Sequence, residues 1–175
     1  MKHYDFPTSF HAAYDHAVAR YAAGHRTAAS LLTAGQAAFL DANGISAQHL
    51  YDYAEDHVGG GEPGYDLALA IELVRRDYFL NAQHSRASAH VLDESKMPAK
   101  ADAIRGIEWL PRLIPKAKAK LRGELPASLM YCCGGDRRFF KAHDILPAEF
   151  LSLVWRHEHD DTAIVDWVVK RSTAK

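Results

Sequence analysis

A cluster of acids, three consecutive glycines and a paired arginine fall within one run, Tyr51 to Phe79, YDYAEDHVGGGEPGYDLALAIELVRRDYF. Asp52, Glu55 and Asp56 stand three and four residues apart, with His57 and Glu62 close behind. On a helix that spacing brings carboxylates together, the arrangement some all-α enzymes use for magnesium or for proton transfer. At about 100° per residue, however, these acids lie opposite Leu50, Tyr53, Ala54 and Val58. They read first as a solvated acidic face. Gly59, Gly60 and Gly61 precede Glu62-Pro63 at a helix start, where backbone amides can hold an anion. No strand precedes the glycines and no Walker-type lysine follows, so a helix stop with a tight turn is the plainer reading.

Further along, Glu72 and Arg76 are spaced i, i+4 with the acid first, the better order for a pair. Arg75 falls nearest the Leu67, Ile71 and Tyr78 face and is the arginine expected to turn inward. A buried charge costs several kcal/mol unless it is paired or used. The chemistry this run offers is therefore an anion held by Arg75 or Arg76 beside Tyr78. Glu55, Asp56 or Glu62 would serve as acid or base.

Four other groupings are less pointed. His157-Glu158-His159-Asp160-Asp161 resembles a ligand set, yet it lies at a helix-to-helix turn and lacks the His-Glu-x-x-His spacing; a polar turn with a cap is the simpler account. His11 and Asp15, four apart, could pair locally. Arg112, Lys116 and Lys120, with Lys118 and Arg122, form a basic stripe without interleaved aromatics, which reads as a solvated face. Tyr131-Cys132-Cys133-Gly134-Gly135-Asp136-Arg137-Arg138 puts a thiol before glycines and an acid that can cap a helix. That would be a nucleophile site only with a base nearby. No metal site is assigned and no cofactor is named.

The elements that position these residues are helical almost throughout. A first helix is expected after Pro7, capped by Thr8 or Ser9 and ended by Gly24. A second is expected from about Ala28 to Asn43-Gly44, with Gly35 as the place where it could break. Ser46 should cap a third, with Ile45 and Leu50 as a hydrophobic staple, and the glycine triplet ending it. Pro63 should open a fourth, running to Gln83 and apolar almost all round, hence central and buried. His84 to Ala103 is a polar connection. A fifth helix follows through Leu121, with Pro111 in its first turn and Pro115 either kinking it or marking its true start. Leu129 to Cys133 is the one plausible strand. Asp136, Pro147 and Asp160 or Asp161 open three more helices.

The fold expected is mostly α: a multi-helix bundle, residues 1–84, a connecting loop, 85–103, and a smaller C-terminal helical subdomain, 104–175, sharing the core, with at most one short strand or hairpin. The chain has 175 residues, 48% hydrophobic and 25% charged, enough for a sizeable core. Its 21 basic and 22 acidic residues leave a net charge of -1, so no global field recruits nucleic acid or an anionic membrane. No apolar run nears the about 20 residues needed to span a bilayer, and MKHYDFPTSF has no signal-peptide core. The only two cysteines are adjacent, which excludes a disulfide framework and fits a cytoplasmic protein.

The stretch GIEWLPRLIPKAKAKLRGEL, with FF-x5-LPAEFL and DDTAIVDWV, resembles a group of small bacterial proteins catalogued only as a domain of unknown function. Leu110 to Ile114 and Trp167 carry the likeness, which spans about Ile104 to Val169; Asp52 to Phe79 is similar to the companion segment of longer members. Pro115 departs from the pattern. The resemblance implies a bacterial source and no activity. Two readings follow. One is a small-molecule enzyme of hydrolase or lyase type, its arginine and carboxylate pocket lying between the helical halves and taking a small anionic ligand. The other is a non-catalytic binding or interaction module whose ion pairs are structural. The oligomeric state is left open.

Overall fold

The computed structural model describes residues 3–173. The chain divides into two compact units, Met1–Ala87 and Ser88–Lys175.

In the first unit, α1 spans Phe6–Ala22 and buries Phe6, Phe10, Ala13, Tyr14 and Ala17. It starts before the expected cap, with Pro7 in its first turn, where a missing N–H costs nothing. The second helix also differs from expectation. Residues Ala28–Ser30 form only a short 3-10 turn, and α2 begins at Ala34 and runs to Asp41. Thr33 explains the shift: its hydroxyl accepts from Gln36 N at 3.2 Å, while Gln36 Oε1 accepts from Thr33 N at 3.0 Å. That reciprocal cap outweighs the alanine propensity before it. Gly35 lies inside α2 without breaking it.

Helix α3, Ala47–Gly60, follows Ser46, whose side chain makes no cap bond, and ends at Gly61 in a left-handed conformation. Helix α4, Tyr65–Asp77, starts two residues after Pro63, which stays outside it and accepts a 2.7 Å hydrogen bond from Tyr14 Oη on its carbonyl. A single π-helical turn, Tyr78–Ala82, continues α4. This segment is not buried all round. Ala68, Ile71, Glu72 and Arg75 are buried, while Leu73 is 40% exposed. Its leucines outnumber the sites its neighbours cover, so α4 is an ordinary two-faced helix with two charged residues on the inner face. α1 packs on α3 and α4, and α2 on α3. Phe6 stacks on Phe10 and Phe39, with centroids 5.7 and 5.6 Å apart.

The second unit opens with a loop tied to Glu124, which accepts Leu92 N on its carbonyl at 2.8 Å and the Ser88 hydroxyl on its carboxylate at 2.7 Å. Two short strands, β1 (Ala103–Ile104) and β2 (Ile107–Glu108), form an antiparallel hairpin in the register Ala103 to Glu108. Arg105 and Gly106 turn it, both with positive φ. The strand expected at Leu129 to Cys133 does not form: the chain turns there, and Cys132 takes φ 70°, which no strand accommodates.

α5, Leu110–Arg122, contains Pro111 in its first turn and runs through Pro115 unbroken, so Pro115 is not its start. α6 spans Gly134–His143, α7 Pro147–Arg156 and α8 Asp161–Thr173. Asp160 Oδ1 accepts from Ala163 N at 3.0 Å, capping α8 as its position implies. α5 packs on α7, and α6 on α8. The molecule is thus mostly α with a single hairpin among the described residues. No described helix is long and apolar enough to cross a membrane.

Candidate functional site

Each unit buries one carboxylate completely, and polar side chains gather around both. In the first unit it is Glu72, with no exposed surface. Tyr53 Oη donates to its Oε1 at 2.7 Å, and His49 Nδ1 lies 3.2 Å from the same oxygen. Both partners come from α3, one helical turn apart, so they present a matched pair to α4. Arg75, one turn beyond Glu72, is 2% exposed; it donates to Gln83 Oε1 at 2.9 Å and lies 5.3 Å from the Phe79 ring centre.

The i, i+4 pairing expected of Glu72 and Arg76 gives way to other contacts. Arg76 donates from Nε to Asn43 Oδ1 at 2.6 Å, meets His3 Nδ1 at 2.8 Å and lies over Phe6 at 4.8 Å. Desolvation lowers its pKa. Tyr78 is buried in the π turn. Of the acids, Glu55 is exposed and accepts the hydroxyls of Tyr21 and Tyr51 at 2.9 and 3.3 Å. Those contacts, after burial, raise the Tyr21 pKa. Asp52 accepts from Gln48 at 2.7 Å. Asp56 and Glu62 are half-buried.

The second unit holds the more closely built cluster. Asp136 has no exposed surface and stands in the first turn of α6, where the helix dipole favours a negative charge. Its Oδ1 accepts from Trp109 Nε1 and Lys116 Nζ, both at 2.9 Å. Its Oδ2 accepts from Lys116 Nζ at 3.0 Å and from Cys132 N at 2.8 Å. Lys116 is 1% exposed, and its Nζ lies 3.6 Å from Cys133 Sγ. Arg137 donates to Cys132 O at 2.7 Å.

Local backbone makes this convergence possible. Trp109 and Cys132 both take φ 70°. Trp109, the residue before α5, thereby turns its indole toward α6. Gly135 leaves room for it: a Cβ there would lie 2.5 Å from the indole ring. Burial, and then the Asp136 charge, push the Cys132 thiol up to about 12, so it stays protonated in the fold. Burial likewise raises the Tyr131 hydroxyl, which donates to Pro147 O at 2.8 Å.

Two expectations change here. The basic stripe is not a solvated face: Lys116 and Lys120 are buried, Arg112 donates to Glu94 at 3.1 Å and Pro98 O at 3.0 Å, Lys118 meets Asp161 at 2.6 Å, and Arg122 meets Glu158 at 2.6 Å. Asp136 does not cap α6 from outside; Cys133 holds that position and Asp136 turns into the core. The sequence reading missed Trp109, Lys116, His49 and Tyr53 as members of polar clusters. A lysine seven residues after Trp109 on one α5 face was the available signal for the first pair. Nothing local joins Glu72 to His49 across 23 positions.

His157 to Asp160, with Trp155 and Arg156, line an open hollow of about 300 Å³. Among the described residues no three His, Cys, Asp or Glu side chains group as metal ligands. His11 and Asp15 approach to 3.5 Å, both largely exposed.

Residues 96–175 match the family described as Domain of unknown function (DUF5069). The match takes in α5 to α8 and the whole Asp136 cluster, and does not reach the Glu72 cluster. No curated protein and no solved structure matches the chain.

Proposed function

We propose that this chain is a non-catalytic binding or interaction protein whose buried ion pairs are structural. The observation that carries this reading is Asp136. Four N–H contacts, two on each oxygen and all from the chain itself, fill the carboxylate. A group saturated in this way has no capacity left for substrate. The basic stripe expected on α5, being buried or paired, is not a free cationic face for nucleic acid. The partner class that goes with this reading is a small anionic ligand or a protein surface.

Replacing both members of the pair tests the reading. Lys116→Met with Asp136→Leu should keep the helical circular dichroism, as apolar replacement of a buried pair commonly does, and lower the urea midpoint because Trp109 Nε1 and Cys132 N lose their acceptor. Retained fold with unchanged ligand or partner binding is the expected outcome. Loss of binding in a folded double variant would overturn it.

A second reading, a small-molecule enzyme of hydrolase or lyase type, draws support from the His49–Glu72 contact, because a buried carboxylate can orient an imidazole for proton transfer. Arg75 or Arg76, beside Tyr78, would hold an anion, and Glu55, Asp56 or Glu62 would serve as acid or base. A thermal-shift screen against metals, phosphorylated metabolites and carboxylates decides it. A ligand that stabilises the wild type, but neither Arg75→Lys nor Arg76→Gln, and that the wild type converts to product would favour the enzyme; binding without turnover would favour the first reading.

A further inference from the structure

We propose that Lys116 and Cys133 are a covalent modification site, at which peroxide drives formation of a sulfur–nitrogen bond between the two side chains. The two thiols differ in their access to solvent. Cys132 is fully buried, whereas its neighbour Cys133 is partly exposed, and both are free thiols. An oxidant from solvent therefore meets Cys133 first. It next meets a nitrogen already in place. Lys116 is 1% exposed, so its side chain has no alternative positions in solvent, and its Nζ lies 3.6 Å from Sγ. A nucleophile held at that distance reacts as though at very high concentration.

Asp136 supplies the remaining requirement, a place for the proton. Its two bonds to Nζ, at 2.9 and 3.0 Å, make it the natural acceptor when the ammonium becomes an amine. The donors Trp109 Nε1 and Cys132 N remain on the carboxyl group after that transfer.

The steps balance. The Cys133 thiol gives up its proton as its sulfur attacks one oxygen of hydrogen peroxide. The O–O bond breaks, sulfur is oxidised to the sulfenic acid, and the departing hydroxide takes the thiol proton and becomes water. Lys116 passes a proton to Asp136. The free amine attacks the sulfenic sulfur, an S–N bond forms, the S–O bond breaks, and the hydroxyl leaves as a second water with a proton taken from the nitrogen. The proton left on Asp136 passes to solvent. Overall a thiol, an ammonium and one peroxide give the sulfenamide, two waters and one proton. Any small thiol reverses it by attacking the sulfur and returning the amine.

The test is intact mass followed by peptide mapping of the full-length protein treated with hydrogen peroxide. The expected result is loss of two hydrogen atoms, with the peptides bearing Lys116 and Cys133 recovered as one cross-linked species that dithiothreitol separates. A Cys132–Cys133 disulfide would show the same mass, so the measurement is repeated on Cys132→Ser, where the link should persist. In Lys116→Arg the link should vanish and Cys133 should accumulate as a sulfenic acid trapped by dimedone. Two outcomes overturn the proposal: wild-type Cys133 trapped by dimedone with no joined peptides, or a mass loss confined to one peptide and abolished in Cys132→Ser.

Discussion

Glu72 and Asp136 are both fully buried carboxylates, but their surroundings are assembled differently. Glu72 is met by side chains of α3, a hydroxyl and an imidazole projecting from regular helix. Asp136 is met by a lysine, an indole and a backbone amide, and two of those three come from residues in left-handed conformation. The first arrangement draws only on regular helical positions. The second stores backbone strain on both sides of one carboxylate, which persists only where the surroundings fix it. The Asp136 cluster therefore organises its unit, while the Glu72 cluster links α3 and α4 through regular helical positions.

The largest effect should come from removing the organising carboxylate. Asp136→Ala leaves the Lys116 ammonium buried without its counter-ion and should cost about 3–5 kcal/mol in urea unfolding. A loss below about 1 kcal/mol would erase the distinction drawn here. Alkaline stability should come next. The unfolded Cys132 thiol ionises near 9, whereas the folded one is held up at about 12. The folded state therefore keeps a proton that the unfolded chain releases. The stabilisation is full below about pH 9 and is lost as pH rises toward 12. Cys132→Ala should flatten that limb of a melting-temperature profile; an unchanged limb would dissociate the thiol from it.

Smaller changes sharpen the contrast. Gly135→Ala pushes a methyl into the Trp109 ring and should cost about 1–3 kcal/mol, with a red-shifted tryptophan emission as the indole leaves Asp136. Tyr53→Phe withdraws one hydroxyl from Glu72 and should cost about 1–2 kcal/mol, less than Asp136→Ala, by the same urea measurement. Equal losses for Tyr53→Phe and Asp136→Ala would make the two clusters equivalent.

Helical class, the glycine stop at Gly61 and the Pro147 and Asp160 starts were legible because each rests on chemistry within a few residues. The inward turn of Arg75 was legible from α4 periodicity. The burial of Lys116 and Lys120 was not, because an α5 face of alternating lysine and alanine reads as solvent-facing until Asp136 is known to lie opposite Lys116, 20 positions later. The single hairpin allowed for was found at a place the sequence does not mark, because Arg105-Gly106 sits between strands of two residues each. The strand expected at Leu129 failed because apolar composition carries no mark of the positive φ at Cys132.

The π turn at Tyr78–Ala82 gives the chain a tolerance of length that composition does not reveal. A wide turn of this kind amounts to one residue lodged in a helix. Deleting one of its five residues would let the α-register resume with the next residues near their present azimuth. Gln83 would stay close to the side from which it now receives Arg75. The same deletion inside α4 would turn Gln83 away by about 100°. At this point in the chain, a lost codon would be felt less sharply than one lost a turn earlier.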